Sequence, residues 1–173
     1  MKGDKTMKKL RDLIGQQFVV GELRTLVNGV TALGIVCPPV LLTGAKGLGK
    51  TLLARTVAAE LGSSYQEFNG RGDFNSLIGG LISADRGDVI CIDEVHGLSA
   101  AQQELLYPAI DGGQLRRPKG FRIKGNEDIS IEPFTLIATT NQPGKLLQPF
   151  RDRLTEMELS HFPIDKMREL VQA

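Results

Sequence analysis

The chain has 173 residues, 41% of them hydrophobic and 24% charged, with a formal net charge of +1. This length predicts one domain with a single core, and the near-neutral charge excludes a global attraction to nucleic acid or to acidic membranes. Cys37 and Cys91 lie in or beside apolar runs, which favours buried thiols in a reducing cytoplasm over a disulfide framework. No apolar run resembles a membrane span or a signal peptide, so we expect a cytoplasmic protein without membrane association. Residues 1–10 are predicted to be a disordered basic lead-in.

Apolar residues at helical spacing predict four amphipathic or capped helices. The first has its apolar stripe at Leu23, Leu26, Val27, Val30 and Leu33. The second follows a glycine-rich loop and is expected to run to about Leu61, where Gly62 stops it. Asp73 is placed to cap the third helix. Its apolar stripe consists of Phe74, Leu77, Ile78, Leu81 and Ile82. Ser99 and Gln102 form a capping box that opens the fourth.

Short apolar runs between these helices predict the strands of a parallel sheet. The runs lie at 40–43, 65–68, 89–92, 134–139 and 157–159. Strands that alternate with helices imply an α/β fold, a three-layer αβα sandwich. Residues 114–133 differ, because apolar and polar positions alternate there on both sides of a Gly125-Asn126 turn. This pattern predicts a β-hairpin inserted into the sandwich.

The central motif is at residues 44–51, which read Gly-Ala-Lys-Gly-Leu-Gly-Lys-Thr between a predicted strand and a predicted helix. This context identifies a P-loop rather than a chance glycine-rich turn. The glycines let backbone N–H groups face a β-phosphate, Lys50 supplies positive charge, and the Thr51 hydroxyl can ligate Mg²⁺. The motif predicts a site for a nucleoside triphosphate such as ATP. Its predicted binding residues are Gly44, Ala45, Lys46, Gly47, Leu48, Gly49, Lys50, Thr51 and Leu52.

An acidic pair, Asp93 and Glu94, directly follows a buried apolar strand about forty residues beyond the P-loop. There Asp93 can hold Mg²⁺ through water, and Glu94 can polarise the attacking water. The alternative is that the pair merely begins a loop, but the P-loop upstream favours a Walker B motif. His96 has only His161 as a second histidine, which forms no metal-binding pattern. We interpret His96 as local structure or as a relay to the nucleotide state.

Five strings occur in unbroken order along the chain. They are Gly-Leu-Gly-Lys-Thr at 47–51, Ile-Asp-Glu-Val-His-Gly-Leu-Ser at 92–99, Leu-Tyr-Pro-Ala-Ile at 106–110, Phe-Thr-Leu-Ile-Ala-Thr-Thr at 134–140 and Arg-Asp-Arg-Leu at 151–154. Together they resemble the RuvB family of Holliday-junction branch-migration motors, within the AAA+ ATPases. The resemblance covers about residues 11–170. It implies the ATP-hydrolysing core of a DNA helicase or translocase for recombination and repair, with DNA as partner and a homo-oligomeric ring, expected to be a hexamer.

The resemblance also assigns roles outside the P-loop. Asn141 takes the sensor 1 position, where it would orient the lytic water against the γ-phosphate. Arg153 takes the position of an arginine finger for a neighbouring subunit's nucleotide, with Arg151 as the second candidate. A surface ion pair is the alternative interpretation of either arginine. Ile14 and Gly15 match the family's segment beside the adenine.

Three features depart from the family's pattern. Ala45 and Lys46 replace its usual paired prolines, which adds a charge near the phosphates, and Asn141 stands where RuvB typically has threonine. The family's helical lid and DNA-binding winged helix would follow Leu170. We therefore expect the large ATPase subdomain at 11–162, with 163–173 as the start of a truncated lid helix. Such a core is predicted to bind nucleotide, to hydrolyse it slowly and to remain mainly monomeric.

The inserted hairpin corresponds to the one with which RuvB motors grip their partner RuvA. Its cations are Arg116, Arg117, Lys119, Arg122 and Lys124, with Phe121 and Ile123 between them. A solvated charged hairpin, a protein docking site and a DNA phosphate contact all remain open.

The alternative functions of the chain are a loader or mobile-element regulator of the AAA+ class and a non-catalytic ATP-dependent binding module. A small-molecule P-loop kinase is disfavoured, because it has no use for a sensor strand followed by a trans-acting arginine.

Overall fold

The computed structural model describes residues 9–13, 16–115 and 128–160. Its helices are α1 (Gln17–Leu33), α2 (Lys50–Leu61), α3 (Phe74–Ser83), α4 (Ala100–Gly112) and α5 (Gln148–Arg151). Its strands are β1 (Val40–Thr43), β2 (Tyr65–Asn69), β3 (Val89–Asp93), β4 (Gln114–Leu115), β5 (Ile129–Ser130), β6 (Thr135–Thr140) and β7 (Thr155–Glu158). Several predicted features lie outside the described residues, namely the lead-in before residue 9, Ile14 and Gly15, hairpin residues 116–127 and the lid helix at 163–173.

Five of the strands form a parallel sheet in the order β2-β3-β6-β1-β7. Strand β6 therefore lies between β1, which precedes the P-loop, and β3, which ends at the first residue of the acidic pair. Thr43 at the end of β1 is level with Thr140 at the end of β6, and Ile92 of β3 is level with Ala138 of β6. The carboxyl ends of these three strands consequently meet at one edge of the sheet, which is where open α/β sheets bind ligands.

Two apolar clusters cover the two faces of the sheet. Alternate residues along β1 separate between them, because Leu41 points to one face and its neighbours Val40 and Leu42 point to the other. Helices α3, α4 and α5 pack on the face of Leu41, and α1 and α2 pack on the opposite face. The predicted three-layer αβα sandwich with a parallel sheet is confirmed.

The helix caps predicted from the sequence are present in the structure. The Asp73 carboxylate accepts hydrogen bonds from the backbone N–H groups of Asn75 and Ser76, both at 3.1 Å, and so caps α3. The capping box at α4 is complete: Gln102 N donates to Ser99 Oγ at 3.3 Å, and Ser99 N donates to Gln102 Oε1 at 2.9 Å. Gly62 ends α2 with φ 67°, as expected for a residue in the left-handed region.

Two boundaries differ from the prediction, and one predicted element is described only in part. The last strand is Thr155–Glu158 rather than 157–159. The inserted hairpin is described only at its base, where Gln114 pairs with Ser130 and Leu115 with Ile129 in antiparallel register. Leu10, the last residue of the predicted lead-in, is fully buried in a short 3-10 helix, and its N–H donates to Glu60 at 2.7 Å.

None of the helices in the described part of the chain has the length and apolar character of a membrane span.

Leu33 and Leu41 are both predicted to be apolar core positions, but the structure shows that they differ in burial. Leu41 is fully buried in the sheet, whereas Leu33, assigned to the apolar stripe of α1, is 72% exposed. Leu41→Ala is expected to lower the free energy of unfolding by about 2–5 kcal/mol, because it removes buried methyl groups and leaves a cavity. The matched change Leu33→Ala is expected to alter it by less than about 0.5 kcal/mol. Urea denaturation of the two variants checks this difference, and equal losses would contradict the assigned burial.

Candidate active site

The P-loop connects β1 to α2, and its first glycine packs against the residue that follows β7. A Cβ on Gly44 would lie 2.7 Å from the Leu159 carbonyl oxygen, so only glycine permits this close approach to the end of β7. Leu48 is 8% exposed and anchors the loop in the core. Gly49 occupies the N-cap position of α2 without a side-chain cap, so the first-turn N–H groups remain available for an anion.

The Lys50 ammonium occupies the inside of this loop. Its Nζ donates to the carbonyl oxygens of Gly44 at 2.9 Å and Ala45 at 2.7 Å. Desolvation by burial lowers the pKa of Lys50, and the negative charges of Asp93 and Glu94 act in the opposite direction. A partly desolvated cation whose hydrogen-bond partners among the described residues are neutral carbonyls is well suited to exchange them for phosphate oxygens.

Hydroxyl groups orient the Asp93 carboxylate toward the P-loop. Thr51 Oγ1 donates to Asp93 Oδ1 at 3.4 Å, and Thr139 Oγ1 donates to the same oxygen. Thr139 belongs to β6, so this contact links the central strand to the acidic pair. Asp93 is thereby held beside the residue that is predicted to share a metal ion with it.

Glu94 sits in a strained turn and has an arginine partner. Its φ is 51°, and its N–H donates to Thr139 Oγ1 at 3.4 Å. Arg71 Nε lies 3.4 Å from Glu94 Oε2. The Arg71 segment packs tightly here, since a Cβ on Gly70 would lie 2.4 Å from the Glu94 carbonyl oxygen.

His96 connects Arg71 to the end of β6. Arg71 Nη2 lies 3.2 Å from His96 Nε2, and His96 Nδ1 lies 3.0 Å from Thr140 Oγ1. Because arginine can only donate, Nε2 accepts and Nδ1 carries the proton. Desolvation by burial, followed by the positive charge of Arg71, lowers the pKa of His96 and favours this neutral ring. Both interpretations of His96, local structure and a relay to the nucleotide state, stay predictions.

The P-loop, the acidic pair and the end of β6 border one cleft of about 350 Å³. The described residues that line it are Lys46, Gly47, Gly49, Lys50, Thr51, Leu52, Asp93, Glu94, Thr139, Thr140 and Asn141. Asn141 follows β6 directly and is exposed to the cleft. The structure thus brings together the P-loop, the acidic pair and the predicted sensor, which are far apart in sequence. Ile14 and Gly15 lie outside the described residues, and Gln16 beside them bonds to the backbone of Ser160.

Both candidate finger arginines lie far from this cleft. They precede β7, whose first residue pairs with Val40 at the start of β1, so they belong to the opposite edge of the sheet. A four-residue strand separates the two edges by roughly 13 Å. Arg153 makes an ion pair with Asp111 at 2.8 Å, and Arg151 makes one with Glu156 at 2.6 Å. Neither arginine is brought to the cleft of its own chain.

A larger cavity of about 530 Å³ lies at that opposite edge. Its charged lining residues are Asp111 and Glu132, and no Lys, Arg or His of the described chain lines it. A site for phosphate requires cations or free N–H groups, so the smaller cleft at the carboxyl edge is the better candidate.

Comparison with known proteins identifies the family. The sequence matches the family described as the Holliday junction DNA helicase RuvB P-loop domain over residues 6–159. The chain belongs to the RuvB family. RuvB subunits of the Holliday junction branch migration complex from Thermotoga petrophila and Thermotoga maritima are 35% identical to it over 176 residues. These alignments cover 95% of this chain and 51% of each relative, so the chain spans about half the length of the curated relatives it matches.

Solved structures agree with the RuvB assignment. The Thermotoga maritima RuvB Holliday junction branch migration motor superposes with a TM-score of 0.83 at 34% identity, covering 95% of this chain and 52% of that one. NtrX from Brucella abortus in complex with ATP superposes with a TM-score of 0.62 at 17% identity, covering 86% of this chain and 36% of its own. The second likeness shows the fold alone. The RuvB resemblance read from the sequence is confirmed.

Sequence reasoning missed two residues that touch the acidic pair. Thr139 bonds to Asp93, and its place just before the predicted sensor is a signal that could have singled it out. Arg71 pairs with Glu94 from a Gly-Arg-Gly turn 23 positions earlier, and no local pattern marks it. Both contacts depend on how the strands of the RuvB fold are ordered.

Proposed function

We propose that the chain is the ATP-binding and ATP-hydrolysing core of a RuvB-type DNA motor that acts on Holliday junctions in recombination and repair. The observation that carries the proposal is the single cleft that joins the P-loop, the acidic pair after β3 and Asn141 after β6. The relatives named as branch migration complex subunits support DNA as the partner. We further propose that residues 11–162 form the large ATPase subdomain of a cytoplasmic protein.

Thr51 and Asp93 would hold Mg²⁺ beside the phosphates of ATP. Their oxygen atoms lie 3.4 Å apart, and hard oxygen ligands of this kind fit Mg²⁺, which proteins commonly bind through one or two side chains together with substrate phosphates. Among the described residues, no group of three or more His, Cys, Asp or Glu could hold a metal ion by itself. When bound, the ion would neutralise negative charge on the phosphates.

Each of the protein groups would have a separate role in ATP hydrolysis. Lys50 leaves the two loop carbonyls and binds the phosphates, where its charge stabilises the leaving group. Glu94 accepts a hydrogen bond from the attacking water and directs the oxygen toward the γ-phosphorus. Asn141, at the adjacent strand end, orients the same water. Arg71 and the Thr139 hydroxyl keep the Glu94 turn in place.

A second copy would supply the remaining cation. Because Arg153 lies at the edge opposite its own cleft, it would serve the nucleotide of a neighbouring subunit in a homo-oligomeric ring, with a hexamer as the expected size. A single copy lacks this arginine at its phosphates, so we propose slow turnover for the chain alone.

The hairpin at 114–133 is proposed as the docking site for a protein partner.

The function is tested by the affinity for nucleotide. Lys50→Ala is expected to lower the affinity for ATP by about 100-fold or more, because it removes the charged donor to the phosphates. Isothermal titration calorimetry with Mg²⁺ measures the loss. Lys145→Ala is the control, since Lys145 lies near the same edge but does not line the cleft. Unchanged ATP binding in Lys50→Ala, or no binding by the wild type, would contradict the proposed function.

A further inference from the structure

Two lysines line the cleft, and their surroundings differ. The Lys50 ammonium is bonded to two loop carbonyls and experiences the charges of Asp93 and Glu94. Lys46 is exposed, and its side chain makes no hydrogen bond or ion pair with any residue in the described part of the chain. Among the described residues, the Lys46 ammonium therefore has no hydrogen-bond or ion-pair partner, so it is available to a ligand in the cleft.

The backbone around Lys46 is held so that the lysine stays at the mouth of the cleft. Gly44 on one side is in close contact with the end of β7, and Leu48 on the other side is buried in the core. The front of the loop is open, because a Cβ on Gly47 would meet no atom within 4 Å. From this position a flexible four-carbon stem can carry its ammonium to a phosphate in the cleft.

The side chains that line the cleft provide no surplus of positive charge. Its charged lining residues are two lysines, Lys46 and Lys50, and two acids, Asp93 and Glu94. ATP differs from ADP by the γ-phosphate, which must approach Glu94 if this residue is to activate water. Two like charges at close range disfavour each other, so the third phosphate requires more positive charge than the second.

We propose that Lys46 contacts the γ-phosphate and makes the site prefer ATP over ADP. This inference rests on the proposed function and names a specificity-determining residue within it. The β-phosphate has its partners in Lys50 and the N-terminus of α2. Glu94 and Asn141, which would act at the γ-phosphate, line the same cleft as Lys46, and this shared lining supports the proposal. The same subunit therefore supplies one γ-phosphate cation without an assembled ring.

The test compares the affinities for two nucleotides. Lys46→Ala is expected to weaken binding of a non-hydrolysable ATP analogue about tenfold and to change ADP binding by less than about twofold. Lys46→Arg keeps the charge and is expected to retain the preference for the triphosphate. Lys145→Ala, the matched exposed lysine outside the cleft lining, is expected to change neither affinity. Isothermal titration calorimetry with Mg²⁺ measures all four proteins.

The outcomes separate this inference from the proposed function. Equal weakening of the two nucleotides in Lys46→Ala would place the lysine on the phosphates that they share and overturn the inference. No change in either affinity would also overturn it. In both cases nucleotide binding by the wild type would leave the proposed function standing. A wild type that binds neither nucleotide would overturn both.

Discussion

Glu94→Gln is expected to slow ATP hydrolysis by about 10²- to 10⁴-fold while the affinity for ATP changes by less than about threefold. The amide keeps the size of the side chain but cannot accept a proton from water. Binding is retained because the phosphates depend on the P-loop and Lys50, which the change does not touch. Phosphate release in a single turnover measures the rate, and calorimetry measures the affinity.

Glu67→Gln is the matched control for this substitution. Glu67 lies on β2, pairs with Arg55 at 2.7 Å and accepts a hydrogen bond from Tyr65, and it does not line the cleft. Its variant should hydrolyse ATP at the wild-type rate. If Glu94→Gln instead lost ATP affinity as severely as Lys50→Ala, Glu94 would be a binding group and its assignment as the base would be wrong.

Arg153→Ala is expected to lower the turnover of assembled protein by about 10³- to 10⁵-fold, because an arginine supplied in trans stabilises the charge of the transition state. Arg153 donates hydrogen bonds through Nε to Asp111 and through Nη1 to the Pro149 carbonyl at 2.7 Å, and its Nη2 lies 2.8 Å from Asp111 Oδ2. Its guanidinium carbon also lies 4.3 Å from the Tyr107 ring centroid. These contacts fix the direction of the side chain and leave further N–H donors of the guanidinium for a phosphate.

Mixing variants tests the trans action directly. Arg153→Ala retains an intact cleft and Lys50→Ala retains an intact arginine, so a mixture should regain turnover that neither variant shows alone. Sedimentation with ATP establishes the concentration at which assembly occurs. Arg151→Ala is the matched control, because the side chains of Arg151 and Arg153 are similarly exposed at 30% and 29%. Loss of activity in Arg151→Ala alone would transfer the role to Arg151, and a mixture that never regains turnover would refute a trans finger.

The features predicted correctly from the sequence depend on neighbours within a few residues. The strand, loop and helix around 44–51, the Asp73 cap and the Ser99 capping box are formed by short-range hydrogen bonds and backbone preferences, which a local string of residues records. The RuvB family could also be recognised, because its longer strings occur in order. The roles of Asn141 and Arg153 remain predictions.

Only the tertiary structure decided which distant groups meet. The sequence by itself determined the αβα class, the P-loop and the acidic pair, since apolar periodicity and motif spacing are properties of the chain. It did not determine that β6 lies between β1 and β3, which brings Thr139 to Asp93, or that Arg71 reaches Glu94. Leu33 is exposed for the same kind of reason, because periodicity marks a helix face but not where the neighbouring layer ends. Strand order and layer contacts arise from packing between segments far apart in sequence, and no local pattern encodes them.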